Sequence, residues 1–528
     1  MIGAVGYKVI TLNRNQKELY PIMNTFTKKS LHVAVAGLGA LGLAGAADAV
    51  MVNPNGLGQV LIYPYYTVRS PAGAGVANYN TLLSIVNTTD SVKAVKVRFR
   101  EGKASAEVLD FNVFLSPQDM WTAAVEPSAD GGATITTQDK SCTIPSFYDG
   151  AGNSVPIPFR NGAYAGDAVK DDSLGRLTEG YFEVFEMVTY DPSSVVAVNA
   201  THVKGVPLNC GKVTDASAQL GINPPQGGLS GGATLINVLT GDAFTEDATA
   251  LTQFTDVGAY SNTGVDTPNF SNASPAYGTA VSESGTIVTG YFTAPTTTLK
   301  SEKAVTLALM KQTVINEFVG EKSTLSGTDW VITMPTKHHF VSASGFTPPF
   351  SSKLDKTGSC DVATLDTWDR EETPVTPGGP DFSPSPGKGN FQLCWESTII
   401  SFDSIAGSDI ANVLGSQDVS NPEVKTGFTS GWGRLTYNTY TFDTSNNVVL
   451  GTAYLVADVA SEFDPISGPP TIQTVPNFTF FGLPTIGFAV QTFVNGTLSD
   501  TAGKLVQSSY GGNFGHRYTG PTFGFIAP

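Results

Sequence analysis

The chain reads Val92-Lys-Ala-Val-Lys-Val-Arg-Phe-Arg100, then Glu101-Gly-Lys103, then Glu107-Val-Leu-Asp-Phe-Asn-Val-Phe-Leu115. In the first run, apolar residues at 95, 97 and 99 alternate with basic residues at 96, 98 and 100. This period of two predicts a β-strand with one buried face and one face in water. The short Glu-Gly-Lys segment is a turn signal, and the run after it predicts the next strand.

The same rhythm of strand and turn extends outward along the chain. β-branched, aromatic or alternating runs occur at 60–68, 81–87, 180–188, 233–239, 397–402, 434–442, 448–456 and 485–493. Turn signals recur about every ten residues, which is typical of a β-sandwich. The best helical pattern is residues 303–318. We therefore predict an all-β fold of the immunoglobulin-like or jelly-roll sandwich type, as one large inserted domain or two interlocked domains with long loops.

The first 49 residues predict export. Lys28 and Lys29 precede an apolar run at 31–46, and Ala47-Asp48-Ala49 fits a small-x-small cleavage site. We interpret 23–49 as a signal peptide and 1–22 as a mis-assigned start, with a long n-region as the alternative. The expected location after Sec-type export is extracellular or at the cell surface, or else the periplasm. The remaining divisions are an N-terminal β-sandwich region with loop insertions at 50–345, a Pro/Gly-rich loop or linker at 346–393 and a C-terminal β region at 394–528.

Four cysteines follow the predicted signal. They are Cys142, Cys210, Cys360 and Cys394. An even count in an oxidising compartment favours disulfides, and we predict the sequence-local pairs Cys142–Cys210 and Cys360–Cys394. No two cysteines have the close spacing of a zinc motif, so zinc is disfavoured. The second pair would tie the base of the breaker-rich segment 371–390, which is a long loop in this interpretation and an interdomain linker in the alternative.

The net charge limits the kinds of molecule that the chain is expected to bind. The chain has 30 basic and 46 acidic residues. Removing 1–49, with its five basic and two acidic residues, leaves 25 and 44, a net charge of −19. Such a charge disfavours nucleic acid and suits divalent cations. No second apolar stretch is long enough for a transmembrane helix, so we expect none in the mature chain.

Two motifs with catalytic potential are weak. Gly228-Leu-Ser-Gly-Gly232 matches the nucleophile-elbow pattern around Ser230, but a loop precedes it where the elbow needs a strand, and a strand-like run follows it. The histidines after the signal are His202, His338, His339 and His516. We expect the adjacent His338 and His339 to lie at the surface end of a strand and to point to opposite faces, which is poor geometry for one metal. We therefore predict no catalytic residues and no enzymatic activity.

An acidic cluster surrounds Trp368. It comprises Asp366, Asp369, Glu371 and Glu372. Three interpretations stay open: a solvated acidic loop, an irregular Ca²⁺ site with oxygen ligands, and the paired carboxylates of a glycoside hydrolase. Calcium is the one cofactor that the sequence suggests.

The tryptophans offer a second kind of site. Exposed members of the set would make a sugar-stacking platform, whereas core packing is the default for Trp121 and Trp395. The five are Trp121, Trp330, Trp368, Trp395 and Trp432.

Parts of the chain resemble an uncharacterised group of exported proteobacterial proteins. The resemblance rests on Ile62-Tyr-Pro-Tyr-Tyr-Thr-Val68, Val95-Lys-Val-Arg-Phe-Arg-Glu-Gly102, a run from Val108 to Trp121, Glu179-Gly-Tyr-Phe-Glu-Val184 and Asp329-Trp-Val-Ile-Thr-Met-Pro-Thr-Lys337, together with the Pro-rich segment after Glu371. It implies a β-rich secreted or cell-surface protein and assigns no catalytic residue.

These observations favour a structural role. We expect a subunit of a surface layer, sheath or filament whose partner is a second copy of itself. The alternative is a secreted adhesin or carbohydrate-binding module whose partner is a cell-surface glycan. The second alternative is a secreted glycoside hydrolase acting through the acidic cluster.

Overall fold

Strands form wherever the sequence alternates or is rich in β-branched and aromatic residues, and the prediction of an all-β chain is confirmed. The computed structural model describes residues 48–70, 79–237, 240–321, 324, 326–370, 391–402, 410–420, 429–437, 440–442, 448–450, 453–463, 478–499, 501 and 505–525. Most of the predicted signal peptide and the predicted start segment lie outside these ranges, as do Glu371 and Glu372.

The strands of the first half are β1 Met51–Val52, β2 Val60–Thr67, β3 Tyr79–Asn87, β4 Lys93–Glu101, β5 Glu107–Leu115, β6 Met120–Pro127, β7 Ala133–Thr136, β8 Cys142–Ile144, β9 Ile157–Pro158, β10 Glu179–Tyr190, β11 His202–Val203, β12 Val206–Pro207, β13 Ile222–Asn223, β14 Leu229–Asn237, β15 Ala243–Asp247 and β16 Thr249–Thr252. The later strands are β17 Tyr277–Val281, β18 Ile287–Tyr291, β19 Met310–Lys311, β20 Thr313–Val319, β21 Gly327–Thr333, β22 Asp361–Asp369, β23 Phe391–Leu393, β24 Ser397–Phe402, β25 Val419–Ser420, β26 Ser430–Tyr437, β27 Tyr440–Phe442, β28 Val448–Leu450, β29 Tyr454–Ala457, β30 Val459–Phe463, β31 Phe478–Phe481, β32 Leu483–Pro484, β33 Phe488–Ser499, β34 Leu505–Gly515, β35 Arg517–Thr519 and β36 Thr522–Phe525. The α-helices within the described ranges are α1 Val195–Ala200, α2 Lys300–Leu309 and α3 Lys337–Phe340.

Helix α2 corrects the predicted helix at 303–318. The helix ends at Leu309, and Thr313–Val319 is a strand. The β-branched residues Thr313, Val314 and Ile315 lose side-chain freedom in a helix and pack well on a pleated sheet, which explains the change of structure.

Two sheets built from the first half pack on each other. Sheet 1 has the order β1-β16-β2-β10-β4-β5-β8, with β13 beside β10, and sheet 2 has the order β15-β14-β3-β6-β7-β9. Tyr63 and Val97 from sheet 1 share a hydrophobic core with Ile85, Trp121 and Val125 from sheet 2. The assignment to an immunoglobulin-like or jelly-roll type stays a prediction.

The predicted wet face of β4 is wrong, because its basic side chains are buried. Lys96 and Arg98 are fully buried and Arg100 is nearly so. Lys96 Nζ lies 3.0 Å from Asp110 Oδ2 and donates to Asn262 O at 2.6 Å. A chain segment around residues 262–268 covers this face and supplies carbonyl oxygens. The cations are therefore paired and hydrogen-bonded, as buried charges must be.

The second half adds two five-stranded sheets, besides smaller sheets of two or three strands. Sheet 3 has the order β23-β22-β26-β20-β35, and sheet 4 has the order β25-β24-β21-β33-β34. Val314 and Leu435 of sheet 3 pack against Trp330 and Ile400 of sheet 4. The other face of sheet 4 also packs: Val331 shares a core cluster with residues of sheets 1 and 2 that include Tyr65 and Phe244.

Strand pairing crosses the predicted boundary at residue 345. β21 pairs with both β24 and β33. The range 346–393, predicted as a loop or linker, contains β22 and β23, which pair with each other. Inward Ala363, half-buried Leu365 and inward Thr367 give β22 its inner face, a pattern that the polar residues between them obscured.

Both predicted disulfides are confirmed. Cys142 bonds Cys210 and Cys360 bonds Cys394. The second bond joins the residue before β22 to the residue after β23, so it closes the base of this strand pair. The segment 371–390 between the two strands lies outside the described residues.

Candidate functional site

Ser230 does not lie on a nucleophile elbow. It is the second residue of β14 and faces Val86 of β3 in an antiparallel pair. A Cβ at the neighbouring Gly231 would overlap Ser84 O and Tyr63 Oη, so packing explains that glycine of the motif. The elbow needs a turn from strand to helix, and Ser230 sits within a continuous strand.

A serine, a histidine and an aspartate do meet elsewhere, but not as a triad. Ser116 Oγ lies 2.7 Å from His202 Nδ1, and Asp119 Oδ2 lies 3.5 Å from the same nitrogen. Asp119 Oδ2 also accepts from the Ser116 backbone N–H at 2.8 Å. A catalytic triad places the serine and the carboxylate on opposite nitrogens of the ring. Here both contact Nδ1, so the arrangement ties β11 to the turn after β5.

His338 and His339 are not surface residues at the end of a strand, and this expectation is wrong. They belong to α3, and their ring centroids lie 4.0 Å apart. Burial, with Arg100 nearby, lowers the pKa of His339 to about 3. Burial also holds the pKa of His338 well below its usual value. The guanidinium groups of Arg98 and Arg100 near the two rings oppose the approach of a metal cation.

The acidic cluster is described only in part. Asp366 Oδ2 lies 3.0 Å from Arg434 Nη2 across β22 and β26. Asp369 ends β22, and Glu371 and Glu372 lie outside the described residues. Within the described part of the chain, no group of three or more His, Cys, Asp or Glu side chains is arranged to hold a metal ion. The calcium and glycosidase interpretations stay predictions.

The five tryptophans separate into two kinds of environment. Trp121 and Trp330 are fully buried in the cores, and Trp395 is half-buried with Lys103 Nζ 5.4 Å from its ring centroid. Trp368 and Trp432 face each other in β22 and β26. Their rings stack with centroids 4.2 Å apart and an interplanar angle of 14°, and Trp432 is 38% exposed. Only this pair lies on a solvent-facing sheet surface.

A second surface carries unusual apolar exposure. Helix α1 reads Val-Val-Ala-Val-Asn-Ala and is apolar on both sides. Its inner side chains, Val196, Ala197 and Ala200, pack into a core cluster beneath the sheet. The outer side continues into the β11–β12 hairpin and the following loop. We call the exposed residues the apolar surface: Val195 46%, Val198 46%, Val203 47%, Val206 48%, Leu208 54% and Leu220 63%.

Several bonds hold the apolar surface in one shape. Val203 and Val206 are direct partners in the hairpin. The Leu208 backbone N–H donates to Thr201 O at 3.1 Å at the end of α1. The disulfide Cys142–Cys210 connects the segment to β8 at the edge of sheet 1. The exposed side chains are therefore presented by a braced segment.

Sequence reasoning found the Trp368–Trp432 pair only as members of a larger set and missed the apolar surface. A signal for the latter existed, because a six-residue run with five apolar residues has too many for one buried helical face. No sequence signal predicted that the strands of Trp368 and Trp432 would pair. The two tryptophans are separated by 63 residues, and segment 371–390 lies between them.

Three comparisons with known proteins add no relative. No protein-family model, no curated protein and no solved structure matches the chain. The resemblance to exported proteobacterial proteins therefore stays a prediction. Among the residues that the structure describes, no helix is long and apolar enough to cross a membrane.

Proposed function

We propose that this chain is an exported structural protein that assembles with copies of itself at the bacterial cell surface or in the extracellular matrix. The observation that carries the proposal is the apolar surface on α1, the β11–β12 hairpin and Leu220. Contiguous exposed apolar patches mark interaction sites in soluble proteins. Covering each half-exposed valine or leucine contributes about 1 kcal/mol, so several together support a contact that repetition across an assembly strengthens.

Charge supports a second copy as the partner. The chain carries a formal net charge of −16, and its copies repel one another at long range. Within residues 192–222 the charged side chains are Lys204, Lys212 and Asp215, and Asp215 accepts a hydrogen bond from Tyr260. Both lysines are exposed beside the apolar residues. The apolar surface is thus one of the less acidic parts of an acidic molecule and complements acidic surface on a neighbour.

Export is the second part of the proposal. It rests on the predicted signal peptide at 23–49 and the proposed Sec-type route to the cell surface. The two disulfides support it, because disulfides persist in oxidising compartments. The low charged fraction, 14%, suits an extracellular β protein.

The decisive test compares assembly of the exported chain with that of a variant that lacks part of the apolar surface. We expect sedimentation velocity and negative-stain electron microscopy to reveal sheets or fibres for the wild type and monomers for Val206→Ser/Leu208→Ser. The matched control is Val257→Ser/Val281→Ser, which changes valines of 60% and 53% exposure elsewhere. A wild-type chain that stays monomeric at all salt and calcium concentrations would overturn the proposal.

Calcium enters the same experiment through a chelator. We propose Asp366, Asp369, Glu371 and Glu372 as its ligands, and Asp366 would have to leave Arg434 to take part. Assemblies that dissolve in chelator support calcium, and Asp369→Ala should then weaken them without chelator. If chelator leaves the assemblies unchanged, calcium is not needed for assembly, and the proposal of self-assembly is unaffected.

A secreted adhesin or carbohydrate-binding module is the second candidate function. The specific observation in its favour is the stacked Trp368–Trp432 pair on an open sheet face. Partly exposed tryptophan is costly to leave in water and is a common ligand contact.

A further inference from the structure

The exposed face of sheet 3 is organised in three rows that run across the strands. Residues opposite each other in the register share a face, and alternate residues along each strand do so too. The first row is Trp368, Trp432 and Glu317; the second is Asp366, Arg434, Ile315 and Arg517; the third is Thr364, Thr436, Thr313 and Thr519.

The opposite face of the same sheet is committed to the core. Val314, Leu435 and Ala363 are fully buried there, between the residues of the three rows. The fold therefore takes its stability from the inner face. The aromatic and charged rows on the outer face are not part of that core.

Trp432 offers the larger exposed aromatic surface of the pair. One face of its ring stacks on Trp368, and the Arg434 guanidinium lies 5.2 Å from the centroid of Trp368. The two rings lean together, because their centroids are closer than the usual spacing of about 5 Å between neighbouring strands. The outer face of Trp432 is consequently turned toward β20, beside Glu317.

The charges of the rows sum to zero. Asp366 and Arg434 form one ion pair at 3.0 Å, and Glu317 Oε1 lies 2.8 Å from Arg517 Nη1 in the other. The side chains of Glu317 and Arg517 are exposed, and those of Asp366 and Arg434 are 39% and 42% exposed. On a chain with net charge −16, this balanced face neither attracts nor repels a ligand through net charge.

We propose that this face binds a neutral polysaccharide. The apolar C–H face of a pyranose ring packs on an indole ring, and each hydroxyl group at the edge of the sugar ring can both donate and accept a hydrogen bond. The carboxylates and guanidinium groups of the first two rows supply both complements. The third row adds half-buried threonines beside them, while Thr313 is buried and its hydroxyl lies 2.8 Å from that of Thr519. Four strands span about 14 Å, so the rows match an extended run of linked sugar rings rather than a single one.

The assignment is independent of self-assembly and gives the second candidate function its site and ligand class. Single-stranded nucleic acid also stacks on aromatic rings, but it needs a positively charged groove along its phosphates. The rows provide none, so a neutral ligand is favoured.

Affinity electrophoresis tests the proposal in native gels that contain hydroxyethylcellulose, xylan, glucomannan or dextran. We expect at least one polysaccharide to retard the full chain. Trp432→Ala should reduce the retardation at least tenfold, Trp432→Phe should restore part of it, and 0.5 M salt should leave it unchanged. Phe346→Ala, at an exposed aromatic residue elsewhere, is the matched control and should bind normally.

The contradicting outcomes are specific. Absence of retardation in every neutral polysaccharide, or equal retardation of Trp432→Ala and wild type, would overturn the proposal. Salt-sensitive binding of acidic polysaccharide or single-stranded DNA alone would overturn it as well. Sedimentation of the same variants separates this result from self-assembly, because Trp432→Ala leaves the apolar surface intact.

Discussion

Two ion pairs of similar geometry lie in opposite environments in this protein. Arg100 Nε lies 3.0 Å from Glu183 Oε2 inside the molecule, and Glu317 pairs with Arg517 at 2.8 Å on the surface. Water screens the interaction within the exposed pair. Removing one member of the buried pair leaves an unpaired charge in the low-dielectric interior.

We predict that Glu183→Gln lowers the free energy of unfolding by about 3–5 kcal/mol, because Arg100 stays buried with the exposed Asp266 as its remaining carboxylate partner. The exposed counterpart, Glu317→Gln, should change it by less than about 1 kcal/mol. Urea denaturation at pH 7 measures both. Equal losses in the two variants would contradict the assignment of Glu183 to the interior.

His516 supplies a pH dependence that can be isolated. Its Nε2 lies 2.9 Å from Val331 O, and burial lowers its pKa to about 3. An unfolded histidine titrates near 6.5, so below that pH the unfolded state binds more protons and stability falls as pH falls. We predict that His516→Gln removes up to about 2 kcal/mol of the loss between pH 6.5 and 5.

The difference between wild type and variant is the quantity to measure, because other groups titrate in the same range. Burial raises the pKa of Glu396 to about 8 and that of Glu246 to about 7. Their effect on stability is opposite to that of His516: their contribution to the free energy of unfolding falls as pH rises above about 4.5. Denaturation curves at pH 7.5, 6.5 and 5 give the difference, with His202→Gln as the control. A His516 variant that follows the wild type at every pH would refute the prediction.

At the scale of elements, the bond Cys142–Cys210 joins the apolar surface to sheet 1. It closes a separation of 68 residues. In the chain-entropy model, such a link contributes about 4 kcal/mol by restricting the unfolded state.

We predict that Cys142→Ser/Cys210→Ser lowers the free energy of unfolding by about 4 kcal/mol and also weakens self-assembly, because the hairpin with Val206 and Leu208 loses its anchor. Cys360→Ser/Cys394→Ser is the comparison, with a separation of 34 residues. It should lower stability by a similar amount and leave self-assembly unchanged in the remaining folded protein. Assembly that depends on the second bond instead would contradict this.

The sequence allowed individual strands to be predicted well. β5 and β24 have the predicted bounds, because periodicity and turn residues are local signals. Which strands become neighbours depends on contacts between distant residues. The pairing of β22 with β26 brings Trp368 onto Trp432, and no local pattern encodes it. The buried cations of β4 were mistaken for a wet face for the same reason, since their cover comes from residues about 166 positions later.

At the scale of the whole molecule, the two halves share cores. Tyr65 and Phe244 pack in one cluster with Val331 and Val490. Thr333 Oγ1 donates to Pro64 O at 2.7 Å, and the Ser397 backbone N–H donates to Gly102 O at 2.8 Å. The two halves therefore share buried clusters in addition to the core that each half has of its own.

We therefore predict one cooperative thermal transition, with a calorimetric enthalpy equal to the van't Hoff enthalpy. Differential scanning calorimetry of the Val206→Ser/Leu208→Ser variant, which the proposed self-assembly predicts to be monomeric, measures this. The control variant Val257→Ser/Val281→Ser should give the same single thermal transition after its assemblies have been separated into monomers. Two separate transitions would indicate that the halves fold independently.

The segment 262–268 that covers β4 also affects the order in which parts of the protein fold. As a chain emerges from its N-terminus, Lys96 and Arg98 precede the carbonyls of Asn262 and Pro268 by 166 and 170 residues. Until those residues arrive, the cations keep their hydration, and closing the sheet over them is unfavourable. Sheet 1 therefore matures late, after half the chain is available. If the chain is exported as proposed, this order delays folding until after the chain has passed through the membrane in an extended state.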